Sequence, residues 1–364
     1  MKIICTQENL KNGLSVVSRV VGSSSTLPIL NNIMLQTENG LLKVSGTNLE
    51  IGISTFVRCK VDVEGGICLG VKTFSDLVNS LGSNTITIDS SENDTVVSTE
   101  RSKVKVKHLS TEDFPILPKI EDGGKVTIDA QEFKLALDQV VYAASISETQ
   151  PEISGVLFWF GGENLLITAT DRFRLAEKSI PYKGGVDYKV IVPHKSIQEI
   201  SRLLSGLTGN IEINLTTTQL ALSVGDTYVV TRLIDGQYPP YQQIIPETSN
   251  STVQVQKSDL LAAIKTSSIF SSKSGSIVVN YDAEKSLLQI NSVSQDLGES
   301  LVDIPCKITG DSGVLMINYR YLLDFLNNLQ SDVVYIKIVD EASPILFSPE
   351  ENSKYMYLVM PIRQ

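Results

Sequence analysis

The sequence has few of the residues that most often build metal and catalytic sites. It contains two histidines and four cysteines among 364 residues. The cysteines Cys5, Cys59, Cys68 and Cys306 are scattered, with no Cys-x-x-Cys pair and no nearby pair of histidines. Neither a zinc site nor a disulfide framework is indicated. We expect four buried thiols, no metal and no cofactor.

Long apolar runs are also absent. No run approaches the roughly 18 residues of a membrane span. The opening "MKIICTQENLKNG" lacks the unbroken apolar stretch of a secretory signal. We therefore expect a cytoplasmic protein without a membrane partner.

Basic residues are outnumbered by acidic ones. Lys and Arg total 31 and Asp and Glu total 41, which gives a formal charge of −10. Non-specific adhesion to nucleic acid depends on many Lys and Arg contacts to phosphate. Simple adhesion of this kind is therefore disfavoured.

A strand followed by a helix recurs three times, in "MKIICTQENLKNGLSVVSRVV", "KVTIDAQEFKLALDQVVYAAS" and "TVQVQKSDLLAAIKTSSIF". The first two copies share the spacing of their apolar residues, and the third repeats part of it. These residues are Leu10, Leu14, Val17 and Val21, then Phe133, Leu137, Val140 and Ala144, then Leu260 and Ile264. A chain of this length usually exceeds one hydrophobic core, so the repeat predicts tandem domains.

The rest of the pattern recurs as well. Each copy continues with two strands, a second strand-to-helix unit and a closing hairpin. The first two copies end in the proline-containing stretches "DFPILP" and "YPPYQQIIP". We predict three α+β domains of two helices and a majority of strands each, at residues 1–121, 122–246 and 247–364.

The segment "GDSG", Gly310–Gly313, offers an alternative function as a hydrolase. Serine protease chemistry needs a histidine within hydrogen-bond reach of Ser312. The two histidines, His108 in an alternating strand and His194 at the start of a helix, do not stand in a protease-like context. A tight turn before the strand "VLMIN" explains the four residues.

Two other stretches allow more than one interpretation of their function. "TATDRFRLAE", residues 168–177, is either a basic ligand loop or a strand end with a solvated turn. The terminal "YMYLVMPIRQ" places Met360, Pro361 and Ile362 beyond an apolar strand that we expect to be buried. A methionine there can adapt to varied apolar ligands.

Four stretches in this order resemble the bacterial β sliding clamp, the processivity subunit of DNA polymerase III. They are "TLPILNN" at 26–32, "TATDRFRLA" at 168–176, "YPPYQQIIP" at 238–246 and "YLVMPIRQ" at 357–364. The resemblance covers the whole chain, including the threefold repeat. It implies a head-to-tail homodimer whose six domains form a ring around duplex DNA, without catalysis of its own.

Domain size agrees with that implication. A 120-residue domain corresponds to a sphere roughly 35 Å across. Three such spheres in contact leave a hole of only about 5 Å, whereas six leave one of roughly 35 Å. A duplex roughly 20 Å across fits only the larger hole. Encirclement also explains how an acidic protein is retained on DNA without strong phosphate contacts.

The resemblance further implies a pocket that takes short peptides from the polymerase III catalytic subunit, the clamp loader, and other replication and repair proteins. Its residues here are Ile153, Thr170, Arg172, Phe173, Arg174, Leu175, Pro239, Asn318, Tyr321, Val359, Met360, Pro361, Ile362 and Arg363. Relatives often carry a Gly-His pair before Arg174, where this chain has Arg172 and Phe173. The pocket is therefore expected to be reshaped.

Two other surfaces follow from the same resemblance. His194, Lys195 and Arg202 match DNA-facing positions of a helix in the second domain, and the contact to DNA is not sequence-specific. The dimer interface is expected to join Val104 and Val106 of one chain to Ile269 and Phe270 of the other. From the residues alone, all four could instead face their own core, and a peptide-binding scaffold that forms no ring is a second alternative.

Overall fold

The computed structural model describes residues 1–22, 27–82, 84–91, 94–120, 122–147, 149–351 and 353–363. The first third of the chain contains β1 (Lys2–Thr6), α1 (Gln7–Val17), β2 (Asn32–Glu38), β3 (Leu41–Thr47), β4 (Ile51–Val57), β5 (Lys60–Val63), β6 (Gly66–Gly70), α2 (Val71–Ser80), β7 (Thr85–Ser90), β8 (Asp94–Ser98) and β9 (Lys103–Lys107). The second third contains β10 (Gly124–Asp129), α3 (Ala130–Val140), α4 (Pro151–Ser154), β11 (Gly155–Gly161), β12 (Asn164–Thr170), β13 (Arg174–Pro181), β14 (Tyr188–Pro193), α5 (His194–Leu203), β15 (Asn210–Leu215), β16 (Gln219–Val224) and β17 (Thr227–Arg232). The last third contains β18 (Ser251–Gln256), α6 (Lys257–Ser268), β19 (Ser276–Asp282), β20 (Leu287–Ser294), β21 (Gly298–Pro305), β22 (Lys307–Gly310), β23 (Gly313–Asn318), α7 (Tyr319–Asn328), β24 (Val333–Ile338), β25 (Ile345–Ser348) and β26 (Tyr355–Val359).

The helices form where the apolar spacing predicts them. In α1 the side chains of Leu10, Leu14 and Val17 are buried on one face. The Thr6 side chain caps the helix by accepting a hydrogen bond from the Asn9 amide at 3.2 Å. Gly13 lies on the same buried face, where an added Cβ would come within 2.4 Å of a Val57 methyl group. The helix can therefore approach the sheet closely.

The chain forms two compact units. The first comprises residues 1–131 and 195–233, and the second comprises residues 132–194 and 234–364. In the first unit, a five-stranded sheet has the order β5-β1-β7-β8-β9, and an eight-stranded sheet has the order β10-β15-β16-β17-β4-β3-β2-β6. In the second unit, a nine-stranded sheet has the order β14-β11-β12-β13-β26-β25-β24-β18-β22, and a four-stranded sheet has the order β21-β20-β19-β23.

Two of the sheets join strands from successive thirds of the sequence. In the first unit β4 pairs antiparallel with β17, and in the second β13 pairs antiparallel with β26. Such shared sheets explain why the compact units do not follow the sequence repeat. The boundaries at 121 and 246 stay a prediction, and residue 121 lies outside the described residues.

The α+β class is confirmed, since antiparallel sheets carry a small number of helices. In the described ranges, no helix is long and apolar enough to span a membrane. No set of three or more His, Cys, Asp or Glu side chains that could hold a metal ion occurs among those same residues.

Candidate peptide-binding groove

A tight turn joins β12 to β13 and presents two exposed side chains. The Thr170 hydroxyl donates to the Arg174 carbonyl at 2.7 Å and accepts the Arg172 amide at 3.1 Å. The Asp171 carboxylate accepts the amides of Phe173 and Arg174, both at 3.0 Å. These bonds satisfy the turn's backbone, so Arg172 and Phe173 project outward. Phe173 is 58% exposed.

Arg174 secures the same turn to helix α7. Its guanidinium donates to Asp171 at 2.9 Å and to Asp324 at 2.5 Å. It also lies over the Tyr321 ring, with Cζ 4.7 Å from the ring centroid. Its side chain is only 11% exposed, so these contacts are largely buried and fasten the turn to α7.

The last strand of the chain borders this turn. Strand β26 runs antiparallel to β13 in a register that pairs Val359 with Arg174. Beyond it, the Met360 amide donates to the Phe173 carbonyl at 2.8 Å, and the Ile362 amide donates to the Met316 carbonyl at 2.8 Å. The terminus is therefore held in place, with the half-buried Met360 side chain beside Phe173.

The proline-containing stretch at 238–246 supplies the opposite wall. Tyr238 donates to the Thr168 carbonyl at 3.3 Å, and the Tyr241 hydroxyl donates to the Glu177 carboxylate. Thr168 in turn donates to the Tyr241 hydroxyl at 3.0 Å. The two tyrosines belong to a buried apolar cluster with Leu175. This anchoring fixes the position of the prolines between them.

Turn, terminal strand and proline-containing stretch enclose a cavity of about 320 Å³. It is lined by Thr170, Arg172, Phe173, Arg174, Leu175, Pro239, Pro240, Tyr241, Gln243, Ile244, Leu358 and Met360. Volume and lining are those of a site for apolar side chains with a few polar groups at its edge. All of these residues belong to the second unit.

A buried carboxylate lies beneath the groove. Burial raises the pKa of Glu177, although hydrogen bonds from Tyr241 and Thr168 oppose this change. Burial likewise raises the pKa of Tyr241, and the neighbouring Glu177 charge adds to the effect. Tyr241 therefore stays a neutral hydrogen-bond donor at physiological pH.

Seven of the predicted pocket residues line this cavity, and the other seven lie elsewhere. Ile153, Val359 and Pro361 are buried, Ile362 is half-buried and Arg363 is exposed. Asn318 caps α7 by accepting the Arg320 amide at 3.0 Å, and Tyr321 packs on Arg174. Sequence reasoning missed Pro240, Tyr241, Gln243, Ile244 and Leu358. Four of these residues lie in the stretch "YPPYQQIIP", whose resemblance to the family could have indicated them.

The predicted DNA-facing residues lie together at α5. Lys195 and Arg202 are exposed, and Arg202 forms an ion pair with Glu199. His194 is half-buried, with Nδ1 3.2 Å from the Ser154 carbonyl oxygen.

Of the predicted interface residues, two lie on an outer strand of a sheet and two follow a helix. Val104 and Val106 are half-buried on β9, an outer strand of the five-stranded sheet. Ile269 is 62% exposed and follows α6, while Phe270 is half-buried.

Ser312 takes part in a turn between β22 and β23. Its hydroxyl accepts the Ala283 amide at 2.9 Å. The histidines have other neighbours, since His108 lies 3.1 Å from the Thr95 hydroxyl. These contacts favour the turn interpretation of "GDSG" over the hydrolase alternative.

Comparison with known proteins identifies the family. Models of the DNA polymerase III beta subunit match the chain in three parts: the N-terminal domain at residues 1–118, the central domain at 127–240 and the C-terminal domain at 242–363. The beta sliding clamp of Synechocystis sp. is 29% identical, over 100% of this chain and 99% of the relative.

Solved structures of sliding clamps support the same family assignment. The sliding clamp of Bacillus subtilis has a TM-score of 0.96 at 25% identity, covering 100% of this chain and 99% of that one. A Pseudomonas aeruginosa sliding clamp bound to griselimycin has a TM-score of 0.95 at 26% identity, with both chains fully covered. Three tandem clamp domains define a DNA replication protein of the sliding-clamp class. The chain belongs to the DNA polymerase III beta subunit family, the bacterial β sliding clamps, and the resemblance noted in its sequence is confirmed.

Proposed function

We propose that two copies of this chain form a closed head-to-tail ring that encircles duplex DNA and confers processivity on a polymerase. The observation that carries this proposal is a strand pairing between successive thirds of the chain. It occurs twice, and the two strands that would form a third such pair lie at sheet edges. Strands β4 and β17 pair, as do β13 and β26, but β21 and β9 are outer strands of their sheets. By the same pattern, β9 of one chain pairs with β21 of another.

The side chains at these edges are complementary. Strand β21 carries the exposed Leu301, and β9 carries the half-buried Val104 and Val106. The exposed Lys103 of β9 would also meet an edge that bears Glu299 and Asp303. Pairing would thus cover apolar surface and satisfy the open backbone groups of both strands.

DNA would pass through the hole of the six-domain ring. Lys195 and Arg202 on α5 would supply phosphate contacts, with His194 beside them, while the net acidic surface limits adhesion elsewhere. Weak contacts of this kind permit sliding. The boundaries 1–121, 122–246 and 247–364 are retained as the proposed domains of that ring.

The groove of the second unit would dock partner peptides, those of the polymerase catalytic subunit, the clamp loader and repair proteins. The griselimycin complex of the Pseudomonas aeruginosa relative shows that a clamp of this family binds another molecule. Two or three apolar anchors, at ~1.5–3 kcal/mol each less ordering costs, correspond to affinities on the order of micromolar. In this proposal the protein catalyses no reaction itself and acts in the cytoplasm.

Retention on DNA tests the ring. The clamp is loaded on nicked circular DNA by a clamp loader with ATP, and the DNA is then linearised. We expect retention before linearisation and rapid loss afterwards. Equal retention on linear DNA with free ends would contradict encirclement, and a monomeric mass at micromolar concentration would favour a scaffold that forms no ring.

Peptide binding tests the groove separately. A fluorescent Gln-Leu-Ser-Leu-Phe peptide is titrated with the intact protein and with a variant lacking residues 360–364. We expect micromolar binding and at least a tenfold loss in the variant, with unchanged circular dichroism. Equal affinity for a folded variant would remove the terminus from the site.

A further inference from the structure

The first unit contains a second copy of the turn that builds the groove. The Thr47 hydroxyl donates to the Ile51 carbonyl at 2.9 Å and accepts the Leu49 amide at 3.0 Å. The Asn48 side-chain oxygen accepts the Ile51 amide at 2.9 Å. Every one of these bonds has its counterpart in the turn from Thr170 to Arg174. The third turn residue is left-handed in both, with φ of 73° at Leu49 and 78° in the other turn.

The neighbouring strand also corresponds. The Arg232 amide donates to the Glu50 carbonyl at 2.8 Å, as the Met360 amide does to the Phe173 carbonyl. Both contacts directly follow an antiparallel strand pair of the same register. Residues 115–118, with a proline at each end, take the place of the proline-containing stretch in the second unit.

This second turn borders a cavity of about 360 Å³, close to the volume of the groove in the second unit. Its edge carries uncovered apolar side chains, since Ile116 is 92% exposed and Leu49 is 44% exposed. The Leu117 side chain packs directly over Gly52, where an added Cβ would come within 2.3 Å of it. Residues 115–118 therefore form one wall of the cavity, with Ile116 at its opening.

We propose that this cavity is a second peptide-docking groove, and that it takes an extended segment with an apolar anchor beside an acidic side chain. The inference rests on the proposed peptide docking at the second unit, whose turn and strand geometry it shares. The two grooves differ in charge, because Glu50 and Arg232 stand where the other has Phe173 and Met360.

The charged side chains at the edge of this groove favour an acidic partner. Arg232 is exposed, and among the described residues no carboxylate lies within ion-pair distance of its guanidinium. Glu50, in the turn between β3 and β4, is half-buried. A peptide carboxylate at the open edge of the groove therefore meets Arg232 first, while Glu50 weakens the attraction.

The test uses full-length protein carrying Met360→Asp, which blocks the groove of the second unit. Fluorescent Asp-Leu-Ser-Leu-Phe and Lys-Leu-Ser-Leu-Phe peptides are titrated by anisotropy. We expect saturable binding of the acidic probe, weakened about two- to fivefold by Arg232→Gln and tightened about as much by Glu50→Gln. The basic probe should show the opposite order. Ile116→Asp should weaken both probes, while Val63→Asp, an exposed apolar residue outside the groove, should leave them unchanged.

The outcomes separate this inference from the proposed function. If the unmodified protein binds the acidic probe and the folded Met360→Asp protein binds neither, the second groove is excluded and docking at the second unit stands. Binding that ignores Ile116→Asp and both charge variants also overturns the inference. If the unmodified protein binds neither these probes nor Gln-Leu-Ser-Leu-Phe, peptide docking fails at both grooves.

Discussion

Two residues with bulky side chains, Leu49 and Arg172, adopt left-handed backbone conformations at φ 73° and 78°. Such conformations favour glycine and cost other residues on the order of 1 kcal/mol or more. Glycine at either position would suit this backbone. The side chains of Leu49 and Arg172 therefore extend the edges of the two grooves at a cost in folding stability.

Replacing either residue with glycine should stabilise the fold. For Arg172→Gly and Leu49→Gly we expect a gain of about 0.5–1 kcal/mol in the free energy of unfolding, after allowing for the greater flexibility of glycine in the unfolded chain. Thermal and urea unfolding would measure it. Arg320→Gly, in the first turn of α7, is the matched control and should lower stability. Loss of stability in both turn variants would show that the bulky side chains stabilise the turns.

Glu177 gives the protein a pH-dependent stability. Burial raises its pKa above the value of 4.5 expected in the unfolded chain. The folded state therefore binds the proton more tightly, and this contribution to stability declines as pH rises from about 4.5 through the folded pKa. Glu177→Gln keeps an acceptor for Tyr241 without the charge. We expect calorimetry to show a smaller decrease in stability between pH 5 and pH 7.5 than in the unmodified protein. An identical pH profile would mean that Glu177 does not titrate in this range.

Arg174 links strand β13 to helix α7. Replacing it with methionine leaves Asp171 without its partner at a largely buried position, so we expect a loss of about 2–4 kcal/mol in stability. Arg174→Lys keeps the charge but not the forked contact with both carboxylates, so its loss should be intermediate. Chemical denaturation would rank the three proteins. Equal stability of the methionine variant would show that the ion pairs are dispensable.

The sequence predicted the elements better than their pairing. Apolar spacing located α1 and α3 because helix periodicity is local. The pairing of β13 with β26 joins residues about 180 positions apart, which no local pattern encodes. The same limit applies to the groove. Its turn and terminal strand were found by resemblance, whereas Tyr241 was missed because its role depends on the distant Glu177.

In the proposed dimer, the outer strands β9 and β21 form the seam between the two chains. Pairing would cover the apolar side chain of Leu301. Leu301→Asp removes that apolar surface from β21 and would bury a carboxylate in its place, which opposes pairing. We expect a monomeric mass of about 40 kDa by light scattering, with unchanged circular dichroism.

The four-stranded sheet also supplies a matched control for this experiment. Val314 is exposed on β23, the opposite outer strand of the same sheet, so Val314→Asp adds the same charge away from the seam. That variant should remain dimeric and be retained on circular DNA, whereas the Leu301 variant should be lost from it while still binding the peptide. The groove lies within one unit of a single chain, so its affinity does not depend on the partner. If the Leu301 variant stayed dimeric, β21 would not form the seam; if both variants dissociated, the seam would lie on a different part of the sheet.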